Sequence, residues 1–127
     1  MDKPEQSSNT NGYIKLHRTI LDSKLWSCSD ATFRVAVYLL LSANHKTGFT
    51  RRVEIKPGQC VRSISMISEN CNLSRKAVRY ALSLLASDSF VAIDEPFGAQ
   101  RGHRISICKW DSYQLSDEER GTEGNSQ

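Results

Sequence analysis

The stretch from Ser63 to Leu85, SISMISENCNLSRKAVRYALSLL, leaves few folds open. Its apolar residues recur at helical spacing in two short runs, with a break at Asn72. In the first run Ile64, Ile67 and Cys71 share one face, and Ser68 is small enough for close helix packing. Asn72 stands where the chain needs a left-handed residue, which Gly adopts best and Asn next. Leu73 points inward, and Ser74 is placed to cap a second helix, a role worth about 0.5–2 kcal/mol over Ala. Ala77, Val78, Ala81, Leu82 and Leu85 form the buried stripe of that helix. Arg75, Lys76, Arg79, Tyr80 and Ser83 remain on its outer face.

Three cations at a helix start call for an explanation. The helix macrodipole favours acids there and disfavours cations, at a cost of a few tenths of a kcal/mol or more. A polyanion would offset this cost. A helix-turn-helix carries its second helix into the DNA major groove N-terminal end first, where Arg grips a guanine edge bidentately and discriminates by about 1–3 kcal/mol. The competing explanation is an amphipathic helix with ordinary surface cations. The DNA reading is preferred because the flanking segments agree with it.

After the second helix, FVAIDE (residues 90–95) and HRISICKW (residues 103–110) alternate on a two-residue period around PFGAQRG. This pattern predicts a β-hairpin directly behind the recognition helix, a wing. Gln100, Arg101, His103 and Arg104 fall at its tip, positioned to track phosphates or reach a minor groove; the alternative is a solvated loop. Residues 49–62 read as a second hairpin, a β-arm turning at Lys56-Pro57-Gly58. Its Arg51, Arg52 and Lys56 make a weaker nucleic-acid candidate.

Upstream, Tyr13 to Leu16 alternates as a short strand. Leu16, Ile20, Leu21 and Leu25 follow at helical spacing, closed by Trp26. Asp30 is placed to cap a helix over residues 31–44, with Phe33, Val37, Leu40 and Leu41 as its buried stripe and Ala36 and Tyr38 beside it. Residues 1–11 and 115–127 are polar and read as disordered tails. The boundaries are therefore a tail (1–11), one domain (12–114) and an acidic tail (115–127). The predicted class is α+β, mainly α: a winged helix-turn-helix with a C-terminal β-hairpin wing and an additional β-arm.

Charge distribution supports a polyanion partner. Residues 13–110 carry 15 Lys and Arg against 7 Asp and Glu, a net +8, whereas residues 111–127 sum to −4. A basic body with an acidic tail suits nucleic-acid binding, although a merely solvated surface would look the same. The four cysteines form no C-x-x-C pair and no His cluster accompanies them, so they read as reduced thiols, with Cys71 and Cys108 at apolar positions. Neither a metal nor a cofactor is expected. The sequence has no Gly-rich phosphate loop, no G-x-S-x-G and no spaced carboxylate pair, so no catalytic residue is assigned. Its longest apolar run, residues 35–41, is far short of the roughly 20 needed to span a bilayer. The first residues do not read as a signal peptide, and a cytoplasmic location is expected. The aromatics fit a core better than an RNA-stacking sheet.

Several of these pieces resemble a known group. GYIKLHRTILDSKLW (12–26), Ala43 to Lys46, Lys56 to Gln59 and ICKWDSYQ (107–114) resemble the N-terminal domains of phage and bacterial replication initiators, the replisome-organiser or DnaD-like group. The resemblance covers residues 12–114. It implies a winged-helix fold, binding of duplex or single-stranded DNA at an origin, contacts with replication proteins, and self-association as a homodimer. Carried onto this chain, the recognition positions would be Ser74, Arg75, Lys76, Arg79 and Tyr80. The alternatives are a transcriptional regulator of a phage or plasmid, or a protein-binding inhibitor or adaptor using the same fold.

Overall fold

A computed structural model describes residues 12–98 and 102–114 of the chain. The two expected tails, 1–11 and 115–127, and positions 99–101 lie outside the described residues.

The segment expected as strand plus helix forms no strand, and its helix is broken into two short pieces. Residues 13–17 are irregular; a 3₁₀ turn (Arg18–Asp22) and a single-turn helix, α1 (Lys24–Ser27), follow. Ser23 separates them in an extended conformation, with its N–H (3.0 Å) and its Oγ (2.7 Å) both donating to Ile20 O. A serine that satisfies the local backbone in this way competes with helix continuation. Leu16, Leu21 and Trp26 are consequently exposed.

Helix α2 (Asp30–Ser42) forms the centre of the core. Its cap is Ser29, one residue before the expected Asp30: Ser29 Oγ accepts from Thr32 N at 3.2 Å. Asp30 sits in the first turn, where the macrodipole favours a carboxylate. The buried stripe is also rotated from the expected one. Thr32, Val35, Ala36, Leu39 and Leu40 are buried, Phe33 and Val37 are half-buried, and Leu41 is 61% exposed. The run 35–41 is apolar all round, so periodicity could not choose its inward face. Contact with α4 (Arg75–Ser87) makes that choice, and the fully buried Ala36 and Ala81 lie on the packed faces of the two helices.

Strands β1 (Gly48–Thr50) and β2 (Val53–Ile55) form a hairpin, but its loop is Arg51-Arg52. The turn at Lys56-Pro57-Gly58 exists, closed by Gln59 N to Lys56 O at 3.0 Å. It passes the chain from β2 to β3 (Gln59–Arg62) without pairing its flanks. Strand β3 instead joins a three-stranded antiparallel sheet of order β3-β5-β4, with β4 Val91–Asp94 and β5 His103–Ile107. Ile105 sits opposite both Cys60 and Ile93. Cys60, Val91, Ile105 and Ile107 face the core, while Gln59, Ala92, Arg104 and Ser106 share the opposite face.

Strand β5 stops at Ile107, short of the expected Trp110, which instead opens a final short helix, α5 (Trp110–Gln114). The turn between them breaks the alternation. Cys108, expected at an apolar position, is therefore exposed, whereas Cys60 and Cys71 are buried. All four cysteines are free. The structure is thus mixed α+β, with the main core cluster uniting α2, α4, the three-stranded sheet, Trp110 and the helix α3 (Ile64–Cys71). No described helix is long and apolar enough to cross a membrane.

Candidate functional site

The turn between α3 and α4 is fixed from several sides. Ser63 Oγ caps α3 by accepting from Met66 N at 3.1 Å. Asn72 ends α3 in the left-handed region, with φ 58° and ψ 48°, the conformation expected of it. Ser68 O accepts from Leu73 N (3.0 Å), and Ser68 Oγ donates to Leu73 O (2.6 Å). Helix α2 adds two tethers. Arg34 Nε donates to Cys71 O at 2.7 Å, and Tyr38 Oη accepts from both Asn70 Nδ2 and Arg62 Nε at 3.0 Å each. The entry angle of α4 is therefore set by hydrogen bonds as well as apolar packing.

Ser74 caps α4 as expected, its Oγ accepting from Ala77 N at 3.0 Å. Val78, Ala81, Leu82 and Leu85 are buried. Arg75, Lys76, Arg79, Tyr80 and Ser83 are all exposed, and at helical spacing they fall within an arc of about 140° on one side of α4. The first turn contains no acid, and among the described residues none of the three cations pairs with a carboxylate. The face is thus cationic and open, with a tyrosine beside the charges.

The hairpin residues are placed differently. Gln100 and Arg101 lie outside the described residues. His103 is half-buried, with Nδ1 3.2 Å from Glu95 Oε2 but not aligned for a hydrogen bond. Arg104 is committed within the protein: its Nε and Nη2 fork onto Asp94 Oδ1 (3.0 Å) and Oδ2 (2.6 Å), and Nη1 donates to Glu54 O at 3.2 Å. The guanidinium holds the Asp94 carboxyl below its ordinary range, mainly through the hydrogen bonds. Arg104 therefore ties the β1–β2 arm to the β4–β5 hairpin and does not stand free at a tip.

The arm meets the hairpin a second time, where the Arg51 guanidinium lies over the Phe97 ring, 4.8 Å from its centroid. Sequence reasoning missed this docking and missed Phe49, a 70% exposed aromatic on β1. The only available signal was an aromatic two residues from an Arg-Arg pair, which reads equally well as an inward strand position. Among the described residues no cluster of three or more His, Cys, Asp or Glu could hold a metal. The chain matches no family model, no curated protein and no solved structure.

Proposed function

We propose that the protein is a non-enzymatic DNA-binding domain of the winged-helix type. In this reading α3, the Asn72 turn and α4 are the helix-turn-helix, α4 is the recognition helix, and β4–β5 is the wing. The observation that carries the proposal is the exposed row Arg75, Lys76 and Arg79 at the capped start of α4, without acidic partners among the described residues. Cations are disfavoured by the helix dipole at that end, and phosphates or a guanine edge offset the cost. Ser74, Tyr80 and Ser83 complete the contacting face, with His103, Gln100 and Arg101 as wing contacts.

Neutralising about four to six phosphates gives a log–log salt slope near −4 to −5 on duplex DNA. Fluorescence anisotropy across a salt series tests this, and a flat response would overturn it. Replacing Arg75, Lys76 and Arg79 together by Ala should remove most of the affinity and leave the melting temperature nearly unchanged. The resemblance of residues 12–114 to replication initiators supports a role in starting replication or controlling it, with replication proteins and a second copy of the chain as partners. Mapping bound sites separates this role from transcriptional control, since the first gives origin repeats and the second promoters.

A second reading has its own observation. Phe33, Val37 and Leu41 form a partly exposed apolar row along α2, with Trp26 packed edge-on against Phe33 at 5.6 Å. Such a row favours protein contact. An adaptor using this face would keep its partner after the triple Ala change and lose it on Leu41→Lys.

A further inference from the structure

The arm holds a strained turn in which one of the two side chains, Arg52, has no partner among the described residues. Thr50 pairs with Val53, so Arg51 and Arg52 alone form the loop. Their φ angles are 48° and 70°. A two-residue loop with both φ positive is the natural place for Asn-Gly, because larger L-residues resist that region. Two arginines there are locally unfavourable, and such strain tends to persist where a side chain is needed.

The surroundings point to a nucleic-acid strand. Residues 45–57 hold Lys46, Arg51, Arg52 and Lys56 against a single acid, Glu54. Arg52 is exposed and has no partner among the described residues. Phe49, in the strand leading into the turn, exposes 70% of its surface. Strands of three residues do not hold an isolated hairpin in place. Here Ile55 is buried outside the main core cluster, Arg104 donates to Glu54 O, and Arg51 lies on Phe97. These contacts fix the arm against the wing and present Phe49 and Arg52 outward. The arm thus carries an exposed aromatic, set across from Glu54, and an unpartnered cation at its turn. These are the two kinds of group that grip single strands, the cation on phosphate and the aromatic on a base face.

We propose that the arm is a second DNA contact, in which Arg52 meets a strand phosphate and Phe49 stacks on an unpaired base next to the duplex held by α4. The inference rests on the DNA-binding reading. It predicts a preference for duplex carrying a single-stranded overhang over blunt duplex.

The test is fluorescence anisotropy of the full chain with a blunt duplex and with the same duplex bearing a short overhang. Phe49→Ser and Arg52→Ala should each weaken overhang binding by about fivefold to tenfold, the lower range for loss of one stacked base. Blunt-duplex binding should stay within about twofold for Phe49→Ser, as for an ordinary surface change. The triple Ala variant of α4 should weaken both probes. If the native chain binds both probes equally and Phe49→Ser changes neither, the arm contact is wrong while the α4 reading stands. If the native chain binds neither probe, both fall together.

Discussion

The Gln114 side chain forms a two-way hydrogen-bonded bridge with the backbone of Lys15. Lys15 N donates to Gln114 Oε1 at 2.8 Å, and Gln114 Nε2 donates to Lys15 O at 2.9 Å. One amide thus does the work of a strand neighbour, tying the first described segment to the last helix across 99 positions of sequence. Residues 13–17 form no regular structure, and Ile14 packs against the core cluster. Gln114→Ala leaves a half-buried donor and acceptor without these partners, at a cost of about 1–2 kcal/mol. Faster hydrogen exchange at the Lys15 amide would report the loss directly. Gln114→Glu keeps the acceptor and removes the donor, so exchange at that amide should stay closer to the native rate. Equal rates in all three proteins would contradict the bridge.

Gly58 cannot be replaced at low cost. Its φ is +86°, and a Cβ there would stand 2.6 Å from Trp110 Cγ. Gly58 N also donates to Asn44 O (2.7 Å), and Gly58 O accepts from Ile107 N (2.8 Å). The backbone is therefore tied on both sides, while the Trp110 ring is buried and held edge-on by His45 at 5.2 Å. Neither side can yield readily. Gly58→Ala should lose about 2–4 kcal/mol, combining left-handed strain with overpacking. Chemical denaturation measures this, and a loss below about 1 kcal/mol would show that the indole moves aside.

The sequence signals divide along physical lines. Ser74 and Asn72 were legible because capping and left-handed turns admit few residue types, and the α4 stripe was legible because polar residues mark its outer side. The phase of α2 was not legible, because seven consecutive apolar residues leave no polar side to read. The arm loop was misplaced because Pro57-Gly58 is a strong turn signal that the fold uses as a link, while Arg51-Arg52 carries no turn chemistry at all. The charges of Arg104 were visible, but its fork onto Asp94 required the register of β4 against β5.

The thiols give a check on the fold that is independent of function. Burial pushes Cys60 up to about 11, whereas Cys108 is exposed on the turn after β5. Because the thiolate is the reacting species, Cys60 presents only about one part in a thousand in reactive form near pH 8. A native-state titration with an aromatic disulfide reagent should therefore label Cys108 rapidly and Cys60 only after unfolding. Cys108→Ser should remove the rapid phase and leave a slower one from the half-buried Cys28. A rapid phase that persists would mean that Cys60 or Cys71, both buried, is open to solvent.

The pair Asp94 and Arg104 should show in acid stability. The carboxyl is held below its usual range in the folded chain, chiefly by the Arg104 hydrogen bonds. A depressed folded value means that its stabilisation is complete above the ordinary carboxylate range and is lost as pH falls through the folded value, below about pH 4. The Asp94 side chain is 54% exposed, so the contribution is under about 1 kcal/mol and is screened by salt. Asp94→Asn should flatten part of the acid limb of a stability-against-pH curve and leave neutral stability slightly lower. It should also loosen the arm, since Arg104 carries the bond to Glu54 O. Unchanged acid and neutral stability would show the pair to be energetically idle.

The strain at Arg52 yields a prediction opposite in sign to most substitutions. Glycine adopts a φ of +70° without the penalty borne by a side chain, so Arg52→Gly should relieve about 1 kcal/mol of it. Glycine also gives the unfolded chain more freedom, which returns up to about 1 kcal/mol. The net change in melting temperature should then lie between zero and a small gain. An ordinary exposed arginine serving the fold through packing would instead show a loss. Combined with weaker overhang binding, unchanged or improved stability means that the side chain is retained for what it contacts outside the protein. A clear loss of stability would make Arg52 part of the scaffold and leave Phe49 alone at the arm as a candidate contact.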